Sequence, residues 1–293
     1  MYTAEQDHSS VRRLTLLGEL RRGLDSDEFK LYYQPVIDLR SGQPVRVEAL
    51  ARWFHPEHGL MPPSDFIGLA EVSGMIQPLT RWVLSEAVEA ASNWEQAGRP
   101  LGVAVNLSVR NLYDPNLPVF MAALLVDHVM TPSKLTLEIT ESELMEDPRM
   151  AKDVLEQLGA LGVATAIDDF GTGYSSLTYL KDLPITQIKI DQSFVAGMMN
   201  RTEDLAIVRS MVELGHNLGL EVVAEGVADK ETLDALAALG CDMAQGFFIA
   251  EPLPHAELLD WLGDHHRFPP ACVRSDQTPA AEPRTLLHYP ARP

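Results

Sequence analysis

Short apolar runs that end in or enclose a polar residue recur along this chain, and they constrain its fold more than any other feature. Four of the runs, each with the residues that end it, are Leu101–Val105 with Asn106, Leu135–Leu137 with Glu138, Val163–Ile167 with Asp168 and Asp169, and Leu220–Ala224 with Glu225. Two further runs contain Glu48 and Lys189. Segments of helical length separate the runs, as in parallel strands joined by crossover helices. The pattern predicts an α/β barrel with its functional site at the carboxyl ends of the strands.

The acidic residues at these strand ends predict a metal site. Carboxylates that converge without matching cations repel one another, and divalent cations are the simplest way to hold them together. The segment Asp168–Leu177, with the sequence DDFGTGYSSL, is the most specific signal, because two adjacent acids at a strand end can bridge two metal ions. Taken alone, the pair Asp168-Asp169 is more typical of an exposed, capped turn.

Each of the other polar residues also has a structural interpretation when it is taken singly. Glu48 could pair with a neighbouring arginine such as Arg52, and Asn106 could satisfy backbone groups at its strand end. Lys189 could lie in solvent at the barrel edge, and Glu225 could be a helix-entry acid favoured by the helix dipole. Independent surface explanations do not predict such residues at the ends of successive strands, so their joint occurrence favours a single site.

Composition limits the class of protein. With 293 residues, 46% of them hydrophobic, the chain is long enough for one barrel of about 250 residues with additional ends. We find no apolar run long enough for a membrane span and no signal-peptide pattern, and the two cysteines do not suggest a disulfide framework, so we expect a cytoplasmic protein. The net charge of −19 argues against binding to a nucleic-acid duplex, because the electrostatic contribution would be repulsive.

Hydrophobic periodicity divides the chain into elements. Strands are expected over Phe29–Leu39, Val45–Trp53 and Asp242–Ile249, and the longest helix is expected over Pro78–Ala97. Residues 264–293 are rich in proline, arginine and small polar residues without periodicity, which predicts a disordered tail.

Several motifs together resemble the EAL domain family, the phosphodiesterases of cyclic di-GMP. The segment EALARW at 48–53 resembles the motif that gives the family its name. Further matching motifs, in chain order, are YQP at 33–35, NLS at 106–108, EITES at 138–142, the segment Asp168–Leu177, KID at 189–191, AEGV at 224–227 and QGF at 245–247. The resemblance places an EAL domain at residues 13–263. It implies a modified (β/α)8 barrel, similar to a TIM barrel, whose first strand runs antiparallel to the others.

The resemblance also implies two metal ions, Mg²⁺ or Mn²⁺, which suit oxygen ligands. The residues implied for the first ion are Glu48, Asn106, Glu138 and Asp168, and those implied for the second are Asp168, Asp169 and Glu225. Glu225 has two possible roles, as metal ligand or as general base. Lys189 would orient the attacking water or stabilise charge that develops on the phosphate.

Other matching positions would bind substrate or support the site. The residues that the resemblance places along the substrate cleft are Gln34, Leu50, Arg52 and Gln245. Glu141 would support the loop over 170–176 without touching substrate. The implied reaction is hydrolysis of cyclic di-GMP to linear pGpG. The alternative is a non-catalytic cyclic di-GMP receptor, although degenerate receptors usually lose metal ligands or the lysine, and none of these positions is changed here.

Two further expectations concern the ends of the domain and its assembly. The segment MYTA at 1–4 resembles the end of a GGDEF domain, so residues 1–12 are interpreted as a linker or a remnant of a preceding GGDEF domain. The resemblance also implies a homodimer formed through the face near the loop over 170–176. A helix over 175–183 would contribute Leu177, Tyr179 and Leu180 to that contact.

Overall fold

The strands of the chain close into a barrel. The computed structural model describes residues 16–144, 148–173 and 177–263. In chain order the strands are β1 (Phe29–Asp38), β2 (Pro44–His55), β3 (Gly59–Met61), β4 (Gly102–Asn106), β5 (Leu135–Thr140), β6 (Ala164–Phe170), β7 (Gln187–Ile190), β8 (Glu221–Ala224), β9 (Met243–Gln245) and β10 (Leu253–Pro254). Their spatial order is β10-β1-β9-β8-β7-β6-β5-β4-β2-β3, and the pairing of β1 with β2 closes the ring.

The first strand, β1, runs against the other barrel strands. It pairs antiparallel with β2 and with β9, whereas the successive pairs from β2–β4 to β8–β9 are parallel. The predicted modified barrel with an antiparallel first strand is therefore confirmed. The register places Gln34 opposite Glu48, and Val36 opposite Gln245. Three polar residues named by the sequence thus meet where β1 closes the ring.

Helices connect the parallel strands from β4 to β9, and others precede β1, precede β4 and follow β10. Their ranges are α1 (described over 16–25), α2 (Pro63–Ser73), α3 (Ile76–Gln96), α4 (Leu117–Asp127), α5 (Glu141–Leu144), α6 (Pro148–Ala160), α7 (Leu177–Asp182), α8 (Gln192–Val195), α9 (Thr202–Asn217), α10 (Lys230–Ala238) and α11 (His255–Gly263). Buried residues of α3 recur three or four positions apart, as in an amphipathic helix whose apolar face packs on the barrel. They include Ile76, Leu79, Val83, Leu84, Ala87, Val88 and Ala91.

One strand prediction differs from the structure, and one short strand was not predicted. The strand expected over Asp242–Ile249 ends at Gln245, because the backbone of Gly246 lies directly against Val227. A Cβ atom on Gly246 would be 2.2 Å from the Val227 nitrogen, so the chain turns away at this point. The short strand β3 was not predicted, because three residues are too few for a periodic signal. β3 extends the sheet beyond β2 through a tight hairpin.

Some predictions concern residues outside the described ranges. The segment over 1–12, the tail over 264–293 and residues 174–176 lie outside the described residues, as do the side chains of Leu177 and Tyr179. Within the three described ranges, no helix combines the length and the apolar character needed to cross a membrane.

Candidate active site

Lys189 lies at the centre of the carboxyl end of the barrel, where four carboxylates surround it. Its Nζ atom lies 2.6 Å from Glu225, 2.8 Å from Glu138, 3.1 Å from Asp168 and 3.8 Å from Glu48. The lysine is supplied by β7, and the four acids lie on β5, β6 and β2 and directly after β8. The convergence predicted from the strand ends is therefore present. Lys189 and these four acids are called the carboxylate cluster below.

The carboxylate cluster carries more negative than positive charge. Burial by itself lowers the pKa of Lys189, but the surrounding carboxylates outweigh burial and raise this pKa well above its usual value. The lysine therefore stays charged. Burial raises the pKa of Glu138 well above its usual value and that of Glu225 to about 7. When all four acids are ionised, four negative charges face one positive charge, and the excess favours an added cation.

A break in strand register directs two adjacent acids to the site. The register of β6 against β7 shifts between Ile167 and Phe170, and Asp169 adopts a left-handed backbone conformation with φ of 53°. Successive residues of a regular strand point to opposite faces, and a bulge removes that constraint. Burial and the charges of Asp168 and Asp191 raise the pKa of Asp169 to about 6. The Asp-Asp pair thus lies inside β6, which continues to Phe170, whereas the sequence predicts that the pair follows the end of the strand.

Three of the predicted metal ligands are close enough to share one ion. Carboxylate oxygens of Asp168, Asp169 and Glu225 all lie within 4.8 Å of one another. All the donors are carboxylate oxygens, which suits a hard divalent cation better than zinc. The donor set and the excess negative charge both fit a metal ion, so this group could hold one.

Glu48 is held in place by two amide side chains. Asn106 Nδ2 donates to Glu48 Oε1 at 2.6 Å, and Gln245 Nε2 donates to Glu48 Oε2 at 2.6 Å. Gln245 Nε2 also donates to Gln34 Oε1 at 2.9 Å, and Gln34 donates in turn to the carbonyl oxygen of Ala250. These contacts fix the orientation of the Glu48 carboxylate. The structure therefore brings the predicted residues Gln34, Glu48, Asn106 and Gln245 together.

Leu50 and Arg52 lie on the same face of β2 as Glu48, because side chains alternate along a strand. Two cavities, of about 560 Å³ and about 420 Å³, adjoin the carboxylate cluster, and Leu50 lines both. Arg52 lies farther out. Its guanidinium group is 5.6 Å from the ring centre of Tyr32, and its Nη1 atom donates to the carbonyl oxygen of Ala51. The structure thus places Arg52 at the rim of the site rather than beside Lys189.

Glu141 is fully buried beneath the loop that follows β6. Its Oε2 atom accepts a hydrogen bond from the Gly171 nitrogen at 2.7 Å. A Cβ atom on Gly173 would lie only 2.8 Å from Glu141 Oε1, so the loop packs directly on the carboxylate. Gly171 has a φ of 98°, which favours glycine over other residues. The Glu141 carboxylate therefore contacts the backbone of this loop directly.

An apolar cavity of about 560 Å³ opens beside the carboxylate cluster, and the sequence analysis did not identify its polar wall. Ser108 Oγ donates to Glu71 Oε1, and Thr140 Oγ1 donates to Glu143 Oε2, both at 2.7 Å. Burial raises the pKa of Glu143, and the charge of Glu71 adds to the effect. The rule of polar residues at strand ends could have found Thr140, the last residue of β5, and through it Glu143 in the short helix α5 that follows. No such signal marks Glu71 on α2.

A second cavity, of about 420 Å³, adjoins the other side of the carboxylate cluster. Glu48, Asp168 and Glu225 line its inner wall, and Phe247 lies at its mouth with 68% of its surface exposed. An exposed aromatic ring beside a polar floor suits a flat, partly apolar ligand group. The carboxylate cluster therefore separates two spaces that could each accept one part of a larger ligand.

The sequence matches a known family over most of its length. A family model described as the EAL domain matches residues 17–252. The bifunctional diguanylate cyclase/cyclic di-GMP phosphodiesterase MucR of Pseudomonas aeruginosa is 41% identical over 259 residues, which are 88% of this chain and 38% of that protein. A cyclic di-GMP phosphodiesterase of the same species is 39% identical over 262 residues, which are 89% of this chain and 45% of that protein. The chain thus spans less than half the length of these two relatives.

The fold also matches a solved structure. The structure of the PaMucR phosphodiesterase in complex with c-di-GMP superposes with a TM-score of 0.79 at 42% sequence identity. The match covers 83% of this chain and 99% of that one. From the extent of the family match, the identity to these relatives and the shared barrel, we conclude that the chain belongs to the EAL domain family.

Proposed function

We propose that the chain is a metal-dependent phosphodiesterase that hydrolyses cyclic di-GMP to linear pGpG and so lowers the level of this second messenger. The observation that carries the proposal is the carboxylate cluster around Lys189. The names of the relatives support it, as does the c-di-GMP held by the PaMucR phosphodiesterase. The EAL phosphodiesterase domain would span residues 13–263, with residues 1–12 as a linker or a remnant of a preceding GGDEF domain. The buried free thiol of Cys241 agrees with a reducing cytoplasm.

The two cavities beside the carboxylate cluster would take the two guanine bases. The apolar cavity of about 560 Å³ offers the carboxylates of Glu71 and Glu143 as hydrogen-bond acceptors. The N–H groups along the edge of guanine are donors and complement them. The other base would stack on Phe247 at the mouth of the second cavity. With the bases in these positions, Leu50 would lie between them, and the phosphates would reach the carboxylate cluster.

Two Mg²⁺ or Mn²⁺ ions would occupy the cluster. The residues proposed for the first are Glu48, Asn106, Glu138 and Asp168, and those proposed for the second are Asp168, Asp169 and Glu225. When bound, such ions offset the charge of the phosphodiester and strengthen water as a nucleophile at neutral pH.

The side chains of the chain would position the reacting groups and move one proton. A water oxygen would attack phosphorus, the bond from phosphorus to the 3′ oxygen would break, and the leaving oxygen would take a proton from solvent water. The Lys189 ammonium group would stabilise the negative charge that develops on the phosphate. Glu225 would take the proton from the attacking water, which its pKa of about 7 allows. In its other role Glu225 would be a metal ligand only.

The domain is also proposed to form a homodimer beside the loop after β6. A shallow apolar groove of about 380 Å³ lies there, lined by Phe170, Ile207, Met211 and Leu214. Leu180, expected to take part in this contact, is only 3% exposed and packs in the core of the single chain. The groove residues would therefore supply the apolar contact. Light scattering that shows only monomer at tens of micromolar, with full activity, would count against a functional dimer.

Incubation of the purified chain with cyclic di-GMP and Mg²⁺, followed by chromatography, tests the proposed activity. We expect conversion to linear pGpG, and no conversion when a chelator is present. Retention of intact cyclic di-GMP without hydrolysis would instead indicate the receptor alternative. Neither binding nor hydrolysis would reject both functions.

A further inference from the structure

A further cavity, of about 440 Å³, lies between the start of β1 and the middle of α3, and the proposed reaction does not use it. Trp82, Glu86 and Glu89 line one wall. They are four and three positions apart on α3, so they lie on one side of the helix. Tyr32 and Tyr33 of β1 line the opposite wall. The cavity therefore combines aromatic rings with carboxylates.

The carboxylates around this cavity outnumber the cations. Asp27, Glu86 and Glu89 line it, against the single ammonium group of Lys30, whose Nζ atom lies 2.7 Å from Asp27 Oδ1. In the described part of the chain, neither Glu86 nor Glu89 has a side-chain hydrogen bond or an ion pair. Burial raises the pKa of Glu86, and the charges of Glu89 and Asp27 raise it further, although Lys30 opposes them. The cavity therefore retains negative charge that Lys30 offsets only in part.

A hydroxyl group without a partner, carried by a buried ring, lies beside these acids. Tyr33 is only 4% exposed, and its ring contacts Trp94 and His255 edge-on. Its hydroxyl group has no hydrogen bond among residues 16–144, 148–173 and 177–263. The hydroxyl oxygen itself is not enclosed by protein atoms but opens into the cavity, where it is free to bond to a ligand. Burial and the charges of Glu86 and Glu89 raise the pKa of Tyr33, which keeps its hydroxyl protonated.

The aromatic rings suit a cation with an apolar part. Trp82 lies with its ring centre 5.8 Å from that of Phe29, and Tyr32 lies 6.4 Å from Phe54. Tyr32 already receives one cation, since the Arg52 guanidinium group lies 5.6 Å from its ring centre. Aromatic faces attract ammonium and guanidinium groups, and the attraction grows as water is excluded. A strongly hydrated metal ion would gain little from such walls.

We propose that this cavity binds an organic cation that carries N–H donors, either an alkylammonium or an alkylguanidinium group. Its N–H groups bond to Glu86, to Glu89 and to the hydroxyl oxygen of Tyr33, and its stem packs against Trp82. The group is supplied either by a free small molecule or by a lysine or arginine side chain of another protein.

Titration with agmatine, a small alkylguanidinium compound, tests the proposal without any measurement of activity. The indole N–H signal of Trp82 is followed by NMR in the full chain and assigned with a Trp82→Phe variant. We expect a saturable shift with millimolar affinity, and no shift with butanol as the neutral probe. Glu86→Gln combined with Glu89→Gln weakens binding about tenfold or more, because both charge-assisted bonds are lost. Tyr33→Phe weakens it by a smaller factor.

The matched control is Glu95→Gln, which removes an exposed acid of the same helix outside the cavity and leaves the affinity unchanged. A capped tripeptide with a central arginine identifies the source of the group. Binding of this peptide at least as tight as agmatine indicates a protein side chain, whereas binding of agmatine alone indicates a small molecule. The proposal is overturned by the absence of any Trp82 shift at tens of millimolar, or by equal affinity in the double glutamine variant. It is also overturned if Mg²⁺ alone shifts the signal at lower concentration.

Discussion

Replacement of Lys189 by methionine tests whether the ammonium group is the internal counter-ion of the carboxylate cluster. Methionine keeps much of the side-chain volume but removes the charge that four carboxylates approach to within 2.6 to 3.8 Å. Removal of one partner from a buried ion pair costs about 3–5 kcal/mol, and Lys189 is only 1% exposed. In a domain of this size, 1 kcal/mol corresponds to about 2–4 °C in Tm. We therefore expect a Tm lower by roughly 10 °C in the presence of a chelator.

Calorimetry with EDTA measures this loss, and Lys152→Met is the matched control. Lys152 lies 3.7 Å from Glu156 in an exposed helical pair, whose loss costs no more than about 1 kcal/mol. The pH dependence provides a second check. Without the ammonium group, the crowded carboxylates bind protons more tightly in the folded chain than in the unfolded chain. Their contribution to stability is present below the unfolded pKa of about 4.3 and is lost as the pH rises, so the deficit is larger at about pH 8 than at about pH 6.

Added Mg²⁺ separates the counter-ion role from a simple packing role. A ligand at 100 times its Kd stabilises the folded state by about 2.7 kcal/mol. Because the competing ammonium group is gone, the Lys189→Met variant should bind Mg²⁺ more tightly than the wild-type chain, while hydrolysis is lost. A Tm within about 2 °C of wild type in EDTA, or Mg²⁺ binding weaker than wild type, would refute the reasoning.

Four further predictions test other parts of the molecule. Asp168→Asn should abolish hydrolysis, because an amide supplies neither the charge nor two equivalent oxygens; near wild-type turnover in Mg²⁺ would reject the two-metal proposal. Ca²⁺ should support binding of cyclic di-GMP, measured by calorimetry, but little turnover, because its coordination is longer and looser. Burial raises the pKa of the Cys241 thiol to about 12, so Cys241 should resist iodoacetamide at about pH 8 until the chain unfolds; native alkylation seen by mass spectrometry would contradict this. Removal of residues 270–293 should leave turnover unchanged in the chromatographic assay, and a large loss would show that the tail contributes to the site.

The strand-end rule predicted most of the site because parallel strands bring their carboxyl ends to one face. Asn106, Glu138, Asp168 and Glu225 are all found there. The rule depends only on the order of strands and helices, so errors of a few residues in strand bounds did not affect it. The antiparallel direction of β1 came only from the resemblance to a family, because no hydrophobic pattern records strand direction.

Patterns in the sequence did not predict the local backbone geometry. Alternation along a strand would send Asp168 and Asp169 to opposite faces, and only the bulge in β6 allows both to serve one site. The contact of Lys189 with four acids was also not predicted, because patterns of polarity do not show which side chains meet across a barrel. Glu71 was missed for a related reason. It lies on a helix, and it joins the site only because Ser108 of a different loop bonds to it.

The charge of the site links cation binding to substrate binding. Four carboxylates and one ammonium group leave an excess of negative charge at the point where the phosphates would lie, within a chain of net charge −19. Two like charges 4 Å apart repel by about 4 kcal/mol at an effective dielectric constant of 20. Arg52 lies at the rim and cannot offset several such repulsions. We therefore expect an anionic dinucleotide and divalent cations each to raise the affinity of the site for the other by the same factor, because coupling between two ligands is reciprocal.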